Sequence, residues 1–418
     1  MRPFLAEEFV HLYGPGDREV RSFFAPGRAN LIGEHIDYNG GLVMPAAVTL
    51  GIAAACRLRS DHLIRLHSSD DPLAVEIDLD RPIEPDPARG WGNYPAGILR
   101  ELLLQGIDLR GTDVLFTTTL PQGAGLSSSA AMELLTAFSF LALVEEPTSD
   151  LRAIALLCQK VENQFVGVNC GMMDQFAVAL GKEDCALLLD CESQDYHYVP
   201  VALGAHALVI MNTSRQRRLA DSKYNERRAE CDAVLRLLGA DAPRNGLVHA
   251  SWRDVLSHVS DPVLRRRACH VISEQERVEQ ASRVLAAGDL AAFGKLLTES
   301  HASLRDDYEV TGPHLDAIVG AALQAPGCLG ARMTGAGFGG CAIALVEQVE
   351  IPDFTSSVRS AYLAATGLEP AFYVTHAADG VHETTGEGQN GKCKGKTDLS
   401  SRGGYQDLEL RPGRASGK

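Results

Sequence analysis

An α+β fold is the expectation for this chain, and three observations carry it. Strand-like runs crowd the segment from about residue 20 to residue 80, and helical patterns dominate from about 221 to 325. Nowhere do strands and helices alternate with the regular βαβ rhythm of a doubly wound sheet. The length of 418 residues suggests two or three domains. A soft boundary falls near residues 195–205, where the element pattern changes, giving an amino-terminal domain over 1–200 and a carboxy-terminal one over 201–384.

Residues 20–26, 41–58, 62–67 and 73–79 are β-branched or alternating segments bounded by Gly, Pro and Asp, and read as strands. Residues 93–105 have a helical pattern and 112–119 a strand pattern. A long helix follows Ser127 to about Val144. Another opens at Thr148-Ser149-Asp150, with Ser or Asp as its cap, and runs to about Phe165. Residues 205–211 form a buried-looking strand, 221–238 a charged helix, and 341–346 and 371–374 closing strands. Residues 385–418 hold seven basic and four acidic residues, many glycines and few apolar groups, which is the composition of a disordered tail.

Composition narrows the function. Apolar residues make up 45% and charged residues 22%, so neither a fibrous nor a wholly disordered protein fits. No apolar run approaches the ~18–20 residues that span a bilayer, and Glu7 and Glu8 stand where a signal peptide is apolar. A soluble, cytoplasmic protein is expected. The net charge, 39 − 54 = −15, repels nucleic acid and anionic membranes, leaving small molecules as partners. The ten cysteines include no C-x-x-C pair, so neither a zinc site nor a redox pair is expected.

Three glycine-rich segments carry the chemistry. In the first, residues 25–45, Arg28, Glu34, His35 and Asp37 fall within ten residues on a Gly/Pro-punctuated loop after a strand. The apolar pairs flanking it pin the loop to the core, and fixed carboxylates with an imidazole suit a polyhydroxylated ligand. In the second, Gly123-Ala124-Gly125-Leu126-Ser127-Ser128-Ser129 joins a strand to a helix. Its glycines let successive N–H groups converge at a helix amino terminus, forming an anion cradle. An ordinary serine cap would need neither glycine. The third, residues 332–341, fits G-x-G-x-x-G through Gly335, Gly337 and Gly340, yet a strand pattern follows where a dinucleotide fingerprint needs a helix. Residues 391–397 imitate a Walker A loop but have Asn390 in place of its first glycine. Two acids complete the set: Glu162, late in a helix, and Asp174, in an otherwise apolar segment. Asp174 would be a costly core charge unless paired with a cation.

With these segments in order, the chain resembles the GHMP family of small-molecule kinases and, within it, the galactokinase family. Pro121–Ala130 is similar to the second family motif and Arg332–Cys341 to the third. Pro26–Pro45 is similar to the galactokinase signature Gly-Arg-x-Asn-x-Ile-Gly-Glu-His-x-Asp-Tyr, and residues 170–176 and 300–308 look like galactokinase segments too. The resemblance covers about residues 1–380. It implies a domain like the second domain of ribosomal protein S5 followed by a ferredoxin-like domain, with the site between them. It implies transfer of the γ-phosphoryl of MgATP to the C1 hydroxyl of α-D-galactose. By that likeness Asp174 is the base and Arg28 supports its ionised form and the transferring charge. Glu34, His35, Asp37, Gly171 and Tyr224 would hold sugar hydroxyls, with Ile36 as their neighbour where many galactokinases carry threonine. The backbone of Gly123–Ser129 would cradle the phosphates, and Ser129 and Glu162 would hold Mg²⁺. An N-acetylgalactosamine kinase and a non-catalytic galactose/ATP sensor are the alternatives; the sensors lose the Ser-Ala pair, which is intact here as Ser129-Ala130.

Overall fold

In the computed structural model, residues 5–121, 123–168, 170–215 and 220–384 are described. The tail expected at 385–418 lies outside them. A helix α1 (Leu5–Tyr13) precedes β1 (Arg21–Asn30), β2 (Leu42–Val43), β3 (Pro45–Leu58), β4 (Leu63–Ser68) and β5 (Asp71–Asp78). Next come α2 (Asn93–Leu104), β6 (Thr112–Thr118), α3 (Ser128–Leu143), α4 (Leu151–Val161) and α5 (Met173–Leu180). Strands β7 (Cys185–Asp190), β8 (Tyr196–Pro200) and β9 (His206–Asn212) lead to α6 (Ala220–Leu238) and α7 (Trp252–His258). Then follow α8 (Pro262–Ala286), α9 (Leu290–Asp306), α10 (Gly312–Gln324), β10 (Cys328–Thr334) and β11 (Cys341–Glu347). The described chain closes with α11 (Ile351–Thr366), β12 (Ala371–Thr375) and β13 (His382–Thr384).

The strands form three sheets. The first has the order β13-β1-β3-β6-β4-β5, with only the β4–β6 pair parallel. A small sheet joins β2, β7 and β8. The third, β10-β11-β9-β12, is antiparallel throughout. Its chain order is strand, helices, two strands, helix, strand, with the first strand next to the third and fourth. That is the split βαβ arrangement of ferredoxin-like domains, as expected. β13 returns from the far end of the chain to pair with Ser22–Phe24 of β1.

Alternation along β3 explains its run of alanines. Ala53 and Ala55 face α1, packed with Leu5 and Phe9, while Ile52, Ala54 and Cys56 face the main core. Small side chains let helices approach both faces. α3 is buried nearly all round, through Ala130, Ala131, Leu134, Leu135, Ala137 and Phe140, so its sequence lacks a polar stripe.

Three expectations need correction. Strand β1 does not end at Pro26 but runs to Asn30, so Arg28 sits on a strand rather than in a loop. The register shifts between Pro26 and Arg28, and a Cβ on Gly27 would stand 2.6 Å from the Leu126 carbonyl oxygen. The apparent break is therefore a bulge that admits a neighbour. The helix expected to run to Phe165 ends at Val161 and widens into a single π turn over Glu162–Val166. Its cap is Asp150, which accepts from the Ala153 N–H. Strands β7, β8, β10 and β13 come in addition to the expected ones.

Candidate active site

The three glycine-rich segments converge on one cavity of about 310 Å³. Of the residues singled out from the sequence, Arg28, Glu34, His35, Asp37, Gly125, Ser127, Ser128, Ser129, Glu162, Gly171, Asp174 and Tyr224 line it. Four do not. Ile36 is fully buried in the core, its side chain turned against Gly41, because the short helical turn at Asp37–Asn39 points residues 35 and 37 one way and 36 the other. Ala124 and Leu126 are buried, and the Ala124 N–H is spent on the Pro121 carbonyl. Gly123 is exposed away from the cavity wall.

Asp174, in the first turn of α5, meets Arg28 from β1. Arg28 Nε and Nη2 lie 2.8 and 2.7 Å from Asp174 Oδ1, and Arg28 Nη1 donates to the Gly125 carbonyl at 2.7 Å. Ser127 donates its hydroxyl to Asp174 Oδ2 at 2.5 Å. It does so from a left-handed backbone, φ 61°, just before α3 begins. Such a conformation costs energy in a non-glycine residue and is kept where the surroundings enforce it. The isolated acid of the sequence thus has its cation.

The sugar-type loop is built differently from the simple expectation. His35 Nε2 is 3.2 Å from the Ala336 carbonyl, so that nitrogen must donate and Nδ1 must accept from Tyr38, 3.0 Å away. Tyr38 meets the hydroxyl of Tyr308 at 2.9 Å, and Tyr308 meets Cys231 at 3.1 Å. Both ring nitrogens of His35 are therefore engaged. Burial drives its pKa down to about 3, keeping the ring neutral. Glu34 is paired with Arg332 at 2.8 Å, both almost wholly buried, and burial still pushes its carboxyl upward. Burial, with the nearby charge of Asp174, raises Asp37 to about 7.

The phosphate-type side holds Ser128 and Ser129 at the amino terminus of α3. Opposite stands Glu162, where α4 widens into its π turn, a distortion frequent at functional sites. Gln175 Nε2 donates to Glu162 Oε2 at 2.5 Å, and the Cys170 thiol lies 3.4 Å from the same oxygen. Burial raises the Glu162 pKa, while the hydroxyl of Ser129 pulls it back. Glu133, fully buried beside it, is pushed well up by burial and by Glu162, and its Oε1 has no partner. The charge of Asp174 adds to the cost of ionising Glu162, so a cation beside Glu162 would be favoured. Among the described residues no cluster of three or more His, Cys, Asp or Glu side chains could hold a metal alone. A magnesium ion at Ser129 and Glu162 would take one or two protein ligands and complete its shell with phosphate and water.

Tyr94, Val168, Cys170, Met173, Gly335 and Ala336 also line the cavity. Cys170 and Ala336 lay inside segments already singled out, whereas no local signal marked Tyr94. The third segment forms the turn between β10 and β11, as its following strand implied. Gly335, Gly337, Gly339 and Gly340 all have positive φ there.

The chain is similar to known proteins in sequence and in fold. The galactokinase galactose-binding signature matches residues 7–58, the GHMP kinase N-terminal domain 93–182 and the GHMP kinase C-terminal model 281–363. The chain is 48% identical to a galactokinase of Clostridium tetani over 382 residues, covering 91% of this chain and 97% of the relative. It is 45% identical to one of Enterococcus faecalis, covering 92% and 100%. It is similar to the crystal structure of Lactococcus lactis galactokinase complexed with galactose, with TM-score 0.86, 41% identity and coverage of 90% and 98%. A mevalonate kinase of Methanococcus jannaschii, at 18% identity and TM-score 0.62, covers 87% of this chain and 99% of its own and shares the fold.

Proposed function

The chain belongs to the galactokinase family of the GHMP kinases, and from that premise we propose how its residues carry the γ-phosphoryl of ATP to the C1 hydroxyl of α-D-galactose. The observation that carries the chemistry is the Arg28–Asp174–Ser127 constellation. A carboxylate with one oxygen on an arginine and the other on a serine hydroxyl is held in a fixed orientation, with lone pairs left to accept the C1 proton. The Arg28 guanidinium stands where negative charge spreads during transfer, and phosphoryl transfer depends mainly on such positioning and charge neutralisation.

Gly125 and Ser127–Ser129 at the helix terminus receive the phosphates, because backbone N–H groups and the helix dipole favour an anion there. Ser129 and Glu162 would hold Mg²⁺, which supplies charge neutralisation on the phosphates when bound. Glu34, Asp37, Gly171 and Tyr224 face the sugar, with Asp37 the acceptor for its hydroxyls. His35, its nitrogens engaged, forms a fixed wall. No helix among the described residues is long and apolar enough to cross a membrane. The relatives are galactokinases, and neither an N-acetylgalactosamine kinase nor a sensor is favoured.

A sugar panel with MgATP tests the reading. Galactose should exceed glucose, its C4 epimer, by several orders of magnitude in kcat/KM, up to ~10⁴-fold, because a misplaced hydroxyl leaves buried polar groups unpaired. Equal rates on both sugars, or a preference for N-acetylgalactosamine, would refute it.

A further inference from the structure

Helix α8 grips the loop that carries Glu34, His35 and Asp37. Glu274 Oε1 accepts from the backbone N–H groups of Gly33 and Glu34 at 3.0 and 3.3 Å. One helical turn earlier, His270 Nε2 donates to the Glu34 carbonyl at 3.0 Å. Gln275 accepts from the Leu42 N–H at 2.8 Å. The loop needs such partners, since Gly33 (φ 96°) and His35 (φ 63°) take it out of any regular hydrogen-bonded structure.

A second row stands behind the first. Ser300 on α9 donates to Glu274 Oε1 at 2.7 Å, and Arg277 Nε lies 2.7 Å from Glu274 Oε2. Ser303 lies 3.0 Å from His270 Nδ1, and the Tyr308 ring packs on His270 at 4.5 Å. Residues 300–308, which resembled a galactokinase segment without an evident task, are therefore built against the α8 grip. Satisfying two buried amides would need only a neutral acceptor. Here a wholly buried carboxylate does it. Burial pushes its pKa up, but Arg277, Arg332 and the Ser300 hydroxyl outweigh that and hold it at about 2. Charge-assisted bonds are roughly twice as strong as neutral ones.

We propose that Glu274, backed by Ser300 and Arg277, is a positioning residue for galactose, fixing the backbone from which Glu34 and Asp37 reach the sugar. This rests on the reading that the 34–37 loop faces the sugar. Calorimetric galactose titrations and steady-state kinetics on the full chain test it, with Glu274→Gln, Ser300→Ala and Asp37→Ala. Glu274→Gln should raise both Kd and KM for galactose roughly tenfold, and Ser300→Ala about threefold, with KM for ATP within about twofold. A role in folding alone would lower kcat through the active fraction and leave both KM values unchanged. That outcome, or an equal rise in KM for ATP, overturns the inference. Should Glu274→Gln fail to fold, the Ser300→Ala split decides alone. Lost galactose binding in Asp37→Ala with none lost in the α8 and α9 variants overturns the positioning role only; unchanged binding in Asp37→Ala overturns the loop reading beneath it.

Discussion

The Asp37 carboxylate occupies the space that a side chain on Gly171 would need. A Cβ on Gly171 would collide with Asp37 Oδ2 and stand 2.9 Å from its Cγ. The glycine is required by close approach, as its backbone does not lie in the left-handed region. Gly171→Ala should therefore fold normally, because the carboxylate can swing aside, and should lose galactose affinity by roughly tenfold, because that same swing misaims it. Calorimetry against galactose and against ATP, with a melting curve, checks this. A loss of several degrees in Tm with galactose affinity intact would contradict it.

Galactose affinity should depend on pH through Asp37. Its carboxyl is raised to about 7 by burial and by the charge of Asp174. A hydroxyl donor prefers the ionised form, so binding below that pH must expel a proton. Affinity should rise about tenfold per pH unit up to about 7 and level off above it. In the unliganded protein the sign is opposite: a folded pKa above the unfolded one costs stability as pH rises through the interval from about 4 to about 7. Titrations in buffers of different ionisation enthalpy should record release of about one proton near pH 6, and His35, whose pKa of about 3 leaves it neutral there, should add nothing. A flat profile in Asp37→Asn would assign the effect.

Much of this site was legible because its chemistry is local. Gly125 and Ser127–Ser129 fall within five residues, and Glu34, His35 and Asp37 share one short loop, so spacing alone groups them. Ile36 shows the limit of adjacency: a neighbour in sequence of residues that line the cavity, it is itself buried in the core. Arg28 reads as a loop residue because Pro26 and Gly27 look like a break, and only pairing with β3 reveals the bulge. Glu274 and Cys231 are out of reach for another reason. Each acts on the loop from far along the chain, and nothing in its own neighbourhood distinguishes it from a core polar residue. The π turn at Glu162 follows from its packing and has no periodic signal of its own.

Glu162 should set the magnesium requirement. Its Oε2 is oriented by Gln175 and Cys170, and burial makes its charge costly unless a cation shares it. Glu162→Gln should raise the Mg²⁺ concentration for half-maximal rate by about tenfold or more and weaken MgADP binding, while galactose binding holds. Magnesium titrations at fixed ATP, with calorimetry of ADP with and without the metal, measure both. An unchanged metal requirement would remove Glu162 from the metal's surroundings.

Asp174→Asn should leave galactose and MgATP binding within a few-fold of the parent and reduce kcat by ~10²–10⁴. The amide keeps the size of the carboxylate but cannot take the C1 proton. It also turns a donor toward Arg28 Nε or the Ser127 hydroxyl, both of which now donate to it. That second effect could mimic the first by twisting the side chain, and Ser127→Ala separates them. Removing the serine hydroxyl leaves the base in place and only loosens its aim, so kcat should fall by about tenfold, well short of the asparagine variant. Arg28→Ala should cost kcat more than it raises KM, since its charge is needed most when the phosphoryl is in transit. It should also free the Gly125 carbonyl and lower Tm, because that side chain is almost fully buried. If Asp174→Asn kept more than about a tenth of parental kcat, proton acceptance by Asp174 would be excluded, and the rate would have to come from positioning and charge.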